Sequence, residues 1–263
     1  MPNGRPGVVT NTEQKQTGSI AHAAKVLGCL SNDINTVTDI SRECNLGKST
    51  VHRVLRLLEE QYLVVRDAIN RRYYLGPLIS QLTSNPVTSH EYLIMYADEE
   101  MKHLSQISEE TVTLDILIGV QYFSLKEVPS KHDLKVTQEK RMAGPLYAGA
   151  SIKVLLSQLG GDKLKIVMDN IDANAENRRP VVDKAALLTQ LGATKKRGYA
   201  ISHGERMSGV LCISVPIKNY ILPVVLSVVG PEDRLRPRVN EVLKELRASA
   251  GRISNRVGGI FDG

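Results

Sequence analysis

The sequence predicts an α+β chain of two domains, a small helical domain closed by a β-hairpin followed by an antiparallel sheet covered by helices. Three observations carry this. Between Thr36 and Leu75, helical periodicity gives way to two β-prone runs. From Thr111 to Val229, strand-like stretches are interrupted by helices that do not alternate strictly with them. The chain's 263 residues suffice for two hydrophobic cores.

Residues 1–18 are polar and rich in Gly, Pro, Thr and Gln, the composition of a flexible tail. Residues 19–80 form the first domain, 81–108 a linker and connecting helix, and 109–263 the second domain. A first helix is capped by Gly18-Ser19, with Ile20, Ala23, Ala24 and Leu27 as its apolar stripe. A second carries Val37, Ile40 and Cys44, and Thr36-x-x-Asp39 has capping-box spacing. Asn45 tolerates the left-handed backbone that ends a helix, and Gly47 opens the next one. This is the punctuation of a helix-turn-helix.

In the third helix Val51, Val54, Leu55 and Leu58 repeat at i, i+3, i+4, i+7, while Ser49, His52, Arg53 and Arg56 keep the same spacing half a turn away. One face enters a core and the other is free to meet DNA. Lys48, Ser49 and Thr50 fall in the first turn, where unpaired amides and the helix dipole favour phosphate. His52, Arg53 and Arg56 are long enough to reach base edges in a major groove. Tyr62–Arg66 and Arg71–Leu75 flank a turn at Asp67-Ala68-Ile69-Asn70, a hairpin or wing that brings Arg66, Arg71 and Arg72 against a backbone or minor groove. Any one of these cations alone is explained as well by a solvated face. Their sign, spacing and neighbouring hairpin together favour a duplex.

Thr83–His90, broken by Pro86, reads as a joint, and Ile94, Ala97, Met101 and Leu104 make the seam of a connecting helix that packs on a partner subunit or on the second domain. Strands follow at Thr111–Ile118 and Gln121–Val128 across Gly119-Val120, with a short one at Leu134–Thr137. Gly144-Pro145 leads into a helix over Ala148–Leu159, stopped by Gly160-Gly161. Helices at Leu164–Asn170 and Asp183–Arg197 precede strands from Tyr199, at Val210–Ile217 and at Ile221–Val229. A helix from Pro237 to Val257, apolar at Val239, Val242, Leu243 and Leu246, closes the chain.

The net charge of +6 favours an anionic partner, but residues 1–80 carry only ten Lys/Arg against seven Asp/Glu, so charge alone does not place the contact. No apolar run approaches the roughly 20 residues of a membrane span, and the start of the chain lacks a signal-peptide core, so a soluble, cytoplasmic protein is expected. Cys29, Cys44 and Cys212 are odd in number and far apart in sequence, without CxxC or Cys/His spacing, which speaks against a disulfide framework or a structural metal.

The runs LGKSTVHRVLRLLEEQYLV and RRYYLGP, with RGYAISHGERMSGVLCISVPI and LSVVGPEDRL further on, resemble the IclR-type bacterial transcriptional regulators from about Ser19 onward. The resemblance implies a winged helix-turn-helix joined to a GAF-like effector-binding and oligomerisation domain, with the first helix helping to pair DNA-binding domains. It implies no cofactor and no catalysis, but a small-molecule effector, a carboxylate or an aromatic acid. It further implies a homodimer or dimer of dimers on a pseudo-palindromic double-stranded operator, acting as a repressor or dual regulator of a catabolic pathway. Carried over position by position, the family's effector contacts fall on the helix-start amides of Ala150 and Ser151, on Ser202, Val210 and Cys212, and on Ser227 and Val229. The chain departs from the pattern in two places. Ser202-His203-Gly204-Glu205 replaces the usual acidic cluster, and Tyr147 stands where a histidine often precedes the pocket helix.

Two other readings compete. A ligand-independent architectural DNA binder leaves the larger second domain without a role. A thiol enzyme built from Cys212, His203 and Glu205 requires nucleophile and base within hydrogen-bond reach, which neighbouring strand positions do not guarantee.

Overall fold

The computed structural model describes residues 18–137, 147–175 and 183–259. The tail, apart from Gly18, and the Gly144-Pro145 turn fall outside these residues. The chain divides into two compact units, Met1–Asn85 and Pro86–Gly263.

In the first unit, α1 (Ser19–Ser31), α2 (Val37–Cys44) and α3 (Lys48–Glu60) pack around Val26, Leu30, Ile40, Val51, Leu55 and Leu58. The turn is built as the residues require. Thr36 Oγ1 accepts the Asp39 amide at 3.2 Å, Asn45 is left-handed at φ 52°, and Leu46 N–H donates to the Ser41 carbonyl at 3.0 Å. The α1 stripe is partly the expected one, with Ala23 and Leu27 packed half-buried against this core. Val26, Cys29 and Leu30 are buried while Ile20 is 85% exposed and Ala24 is exposed, because the helix meets α2 and α3 along its C-terminal half.

The hairpin strands are shorter than their β-prone runs, β1 (Val64–Arg66) and β2 (Tyr73–Leu75), since Tyr62 and Arg71 adopt positive φ and the Asp67 carboxylate caps the turn through Ile69 N–H at 2.8 Å. A helix that the sequence reading passed over, α4 (Pro77–Leu82), follows with proline in its first turn. Gly76 lets the chain return against the hairpin base, for a Cβ there would lie 2.2 Å from the Tyr62 carbonyl oxygen.

The fold also joins two cysteines that are distant in sequence. Cys29 and Cys44 are free and buried, their Sγ atoms 3.2 Å apart. Burial, then the neighbouring thiol, pushes Cys29 up to about 11. Being buried, both should resist iodoacetamide at mildly alkaline pH and react on unfolding. Rapid alkylation of both in native protein would show that α1 opens from α2.

The second unit begins with α5 (Pro86–Ser89) and α6 (Glu91–Ser108), the helix read as a connector. Leu93, Ala97, Met101 and Leu104 lie in this unit's own core, and a two-pronged Arg252–Glu100 pair, at 2.8 and 2.6 Å, ties α6 to the final helix. The sheet runs β4 (Gln121–Val128), β3 (Thr111–Ile118), β7 (Val224–Pro231), β6 (Val210–Ile217), β5 (Ala200–His203), antiparallel throughout. Strand β7 starts later than expected. Pro223 instead offers its carbonyl to Leu117 N–H, and Ile221 is exposed.

Leu134–Thr137 is not a strand. Leu134 is exposed and its carbonyl accepts the Arg234 guanidinium at 2.9 Å in place of a strand neighbour. On one sheet face lie α6 and, beyond α10 (Glu232–Leu235) and a 3-10 turn, α11 (Val239–Gly258). On the other lie α7 (Ala150–Ser157), α8 (Gly161–Ala175) and α9 (Lys184–Arg197). Coverage on both sides buries β3 almost throughout, where alternation in the sequence showed only one apolar face.

Candidate nucleic-acid interface and effector pocket

Helix α3 separates its two faces as its spacing requires. Val51, Val54, Leu55 and Leu58 are buried, whereas Lys48, Ser49, His52, Arg53 and Arg56 are exposed and Thr50 is half-buried. Gly47 supplies no side-chain cap and the first turn holds no acid, which leaves its amides available to a phosphate oxygen. Among the described residues the side chains of Lys48, His52 and Arg53 make no ion pair, and Arg56 has only an exposed contact to Glu60 at 3.7 Å. Such a contact costs little to break. Arg66, Arg71 and Arg72 are exposed on the hairpin, Arg66 lying over the Tyr73 ring at 5.7 Å.

In the second unit a cavity of about 600 Å³ opens beneath the start of α7, against the sheet face formed by β3, β7, β6 and β5. It gathers Ala150, Ser151, Ser202, Val210, Cys212 and Val229 from four elements. Ser227 lies one layer behind, fully buried, its hydroxyl 3.1 Å from Ser151 Oγ and 2.8 Å from Ser214 Oγ. Register explains the grouping. Ser202 pairs with Cys212 and Cys212 with Val229, while Ser214 pairs with Ser227, so two polar rungs cross the sheet on one side. Burial pushes the Cys212 thiol up.

The cavity wall also includes Thr113, Tyr122, Lys135, Glu205, Arg206 and Met207, which the sequence did not single out as effector contacts. Thr113 shares the Ser214–Ser227 rung by register, a signal available only once strand order is known. Two of the amides at the start of α7 are already engaged. Gly149 N–H donates to Glu205 Oε2 at 3.0 Å and Ala150 N–H to Ser202 Oγ at 3.1 Å, and the buried Lys153 ammonium also pairs with Glu205. Arg206 donates to Tyr122 Oη at 2.8 Å, its stem lying against Gly149.

Asp115 lies two residues along β3 from Thr113, fully buried, with Oδ1 lacking a hydrogen-bond partner. Burial raises its carboxyl to about 6, against the opposing pull of the Ser124 and Thr113 hydroxyls. The unfolded chain loses this proton near pH 4 and the native one holds it to about 6, so stability falls as pH rises through that interval. Asp115→Asn should be more stable than wild type above pH 6 by about 1–3 kcal/mol, the advantage shrinking towards pH 4. Urea denaturation across this range measures it, and a pH-independent difference would rule out ionisation as the cause.

Among the described residues no thiol triad is assembled. His203 Nδ1 lies 2.8 Å from Glu232 Oε1, Glu205 is held by Gly149 and Lys153, and Cys212 meets only serine hydroxyls. Among the described residues no group of three His, Cys, Asp or Glu could hold a metal ion, and no helix is long and apolar enough to cross a membrane.

Comparison with known proteins covers both units. Residues 19–68 match the IclR helix-turn-helix domain and residues 86–255 the C-terminal domain of bacterial IclR transcriptional regulators. The chain is 27% identical over 252 residues to the HTH-type transcriptional regulator KdgR of Escherichia coli, spanning 93% of this chain and 95% of that protein. It is 27% identical over 236 residues to the HTH-type transcriptional repressor AllR of Salmonella typhimurium, spanning 88% and 86% respectively. Among solved structures, Thermotoga maritima IclR superposes with a TM-score of 0.58 at 22% identity, over 91% of this chain and 98% of that one. An IclR homologue from Microbacterium hydrocarbonoxydans, complexed with 4-hydroxybenzoate, gives 0.54 at 24% identity, over 91% and 99%. With both domain models matched in order along the chain, this protein belongs to the IclR family of bacterial helix-turn-helix transcriptional regulators, DNA-binding proteins and not enzymes.

Proposed function

We propose that this regulator acts as a homodimer or dimer of dimers in the cytoplasm and binds a pseudo-palindromic operator. In this reading Lys48, Ser49, Thr50, His52, Arg53 and Arg56 enter the major groove while Arg66, Arg71 and Arg72 of the hairpin hold the flanking backbone or minor groove. A small carboxylate or aromatic acid filling the second unit's cavity shifts operator affinity, so that the protein represses, or both represses and activates, genes of a catabolic pathway.

The observation that carries the reading is the division of α3 into a buried apolar face and an exposed cationic one, with an uncapped first turn. The polar-floored cavity favours an effector over a purely architectural role. The relatives support the same direction, one being named a repressor and another having been crystallised with 4-hydroxybenzoate.

The test has two arms. Genomic fragments flanking the coding region should include one retarded by the protein in a mobility-shift assay, since such regulators act on adjacent genes. A thermal-shift screen of small acids should find a stabiliser. The double variant Ser202→Ala, Cys212→Ala should then lose the response to that acid while retaining operator binding. An unchanged dose–response would remove both residues from the pocket model.

A further inference from the structure

We propose that this chain takes its effector's carboxylate at Arg206, assisted by Lys135, and not at the amides of α7, and that the effector is a hydroxylated, non-aromatic carboxylic acid. The inference rests on the cavity being the effector site.

The amides that open α7 form the obvious anion receptor, but the protein sets its own carboxylate at the first of them. Gly149 N–H donates to Glu205 Oε2, and Lys153, buried on the same helix, neutralises that group. The next amide, that of Ala150, is satisfied by Ser202 Oγ. An incoming carboxylate seated there would displace Glu205 and leave two carboxylates around one ammonium, a like-charge contact that low-dielectric surroundings intensify.

Arg206 is placed differently. It projects from the β5–β6 connection into the cavity wall, spends one of its five N–H donors on Tyr122 Oη, and pairs with no carboxylate among the described residues. Lys135 lines the same cavity. With Glu205 already neutralised by Lys153, the charge left facing a ligand is positive. A planar guanidinium is suited to a carboxylate, which it holds through paired hydrogen bonds.

The remainder of the ligand is set by the floor. Thr113, Ser151 and Ser202 present hydroxyls, and behind Ser151 the Ser214–Ser227 pair can reverse hydrogen-bond direction by rotating hydroxyl protons. Such a surface, with Val136, Met207, Val210 and Val229 around the hydroxyls, matches a short carbon chain that bears alcohol groups. Tyr122 is the single aromatic residue lining the cavity among the described residues, and it is 1% exposed with its hydroxyl on Arg206, so it offers no ring face for stacking.

Isothermal titration of the full-length protein separates the possibilities, using glycerate, malate and gluconate as hydroxy acids, hexanoate and 4-hydroxybenzoate as acids without an alcohol, and glucitol as the uncharged control. A hydroxy acid is expected to bind best, and Arg206→Gln to weaken it about tenfold or more. Native secondary structure and an unchanged melting temperature in unliganded Arg206→Gln exclude misfolding as the cause. Tighter binding by Glu205→Gln with indifference of Arg206→Gln would place the anion at the α7 amides and overturn the inference while keeping the effector site. Preference for 4-hydroxybenzoate or hexanoate would overturn the assigned ligand class. Heat with none of these acids would overturn both the inference and the effector reading.

Discussion

Arg53→Ala is expected to weaken operator binding by about 1–3 kcal/mol, roughly 5- to 150-fold, and to relax base preference at one position of each half-site. The expectation follows from where Arg53 sits. It is exposed, unpaired among the described residues, and carried on α3 beside the buried Val54 and Leu55 that lock the helix in place. Lys48→Ala provides the contrast. A first-turn lysine meets phosphate, so its loss should weaken all sequences alike and reduce the salt dependence of binding by about one counterion. Binding measured against a library of single-base operator variants at two salt concentrations distinguishes the roles. Wild-type behaviour of both variants would mean that another face of this unit meets DNA.

Arg234→Ala should unfold the second unit more readily than any surface substitution. Glu110 is 2% exposed, its carboxylate held by Arg234 at 2.5 and 2.9 Å and pressed so closely to Gly230 that a Cβ there would lie 2.4 Å from Oε2. Removing the guanidinium leaves a carboxylate sealed in the protein without its counter-charge. With Arg234 itself 32% exposed, water screens part of the loss, and the cost is about 1–3 kcal/mol, or a fall in Tm of roughly 2–12 °C. The double change Glu110→Leu, Arg234→Leu should lose less than Arg234→Ala alone, since two apolar groups leave no buried charge. Equal losses would show that Arg234 acts through its contact with the Leu134 carbonyl instead.

The first unit was legible because its information is local. The αL stop at Asn45, the Thr36 cap and the split faces of α3 each depend on residues within two turns of one another, and each is found in the fold. The α1 face was read only in part: Ala23 and Leu27 do pack on the core, but Val26, Cys29 and Leu30 carry its centre, and in a helix apolar on most sides only packing against α2 and α3 chooses among them.

In the second unit, strand positions came close but the strand at Leu134–Thr137 did not form, its Leu134 carbonyl being taken by the Arg234 side chain and not by a neighbouring strand. The cavity was harder still. Resemblance led to six of its residues, but Thr113, Lys135, Glu205 and Arg206 come together only through sheet order and long-range hydrogen bonds, which no spacing along the chain records. The same holds for Cys29 and Cys44, fifteen positions apart yet in contact between two helices.

The central claim is that a ligand in the second unit's cavity changes how the first unit holds DNA. Fluorescence anisotropy of the operator, titrated with full-length protein with and without a saturating acid that stabilises it, measures that coupling. The account predicts a change in Kd of about 5- to 150-fold, lost in Ser202→Ala, Cys212→Ala. An operator Kd that is the same with the cavity empty and filled would contradict it.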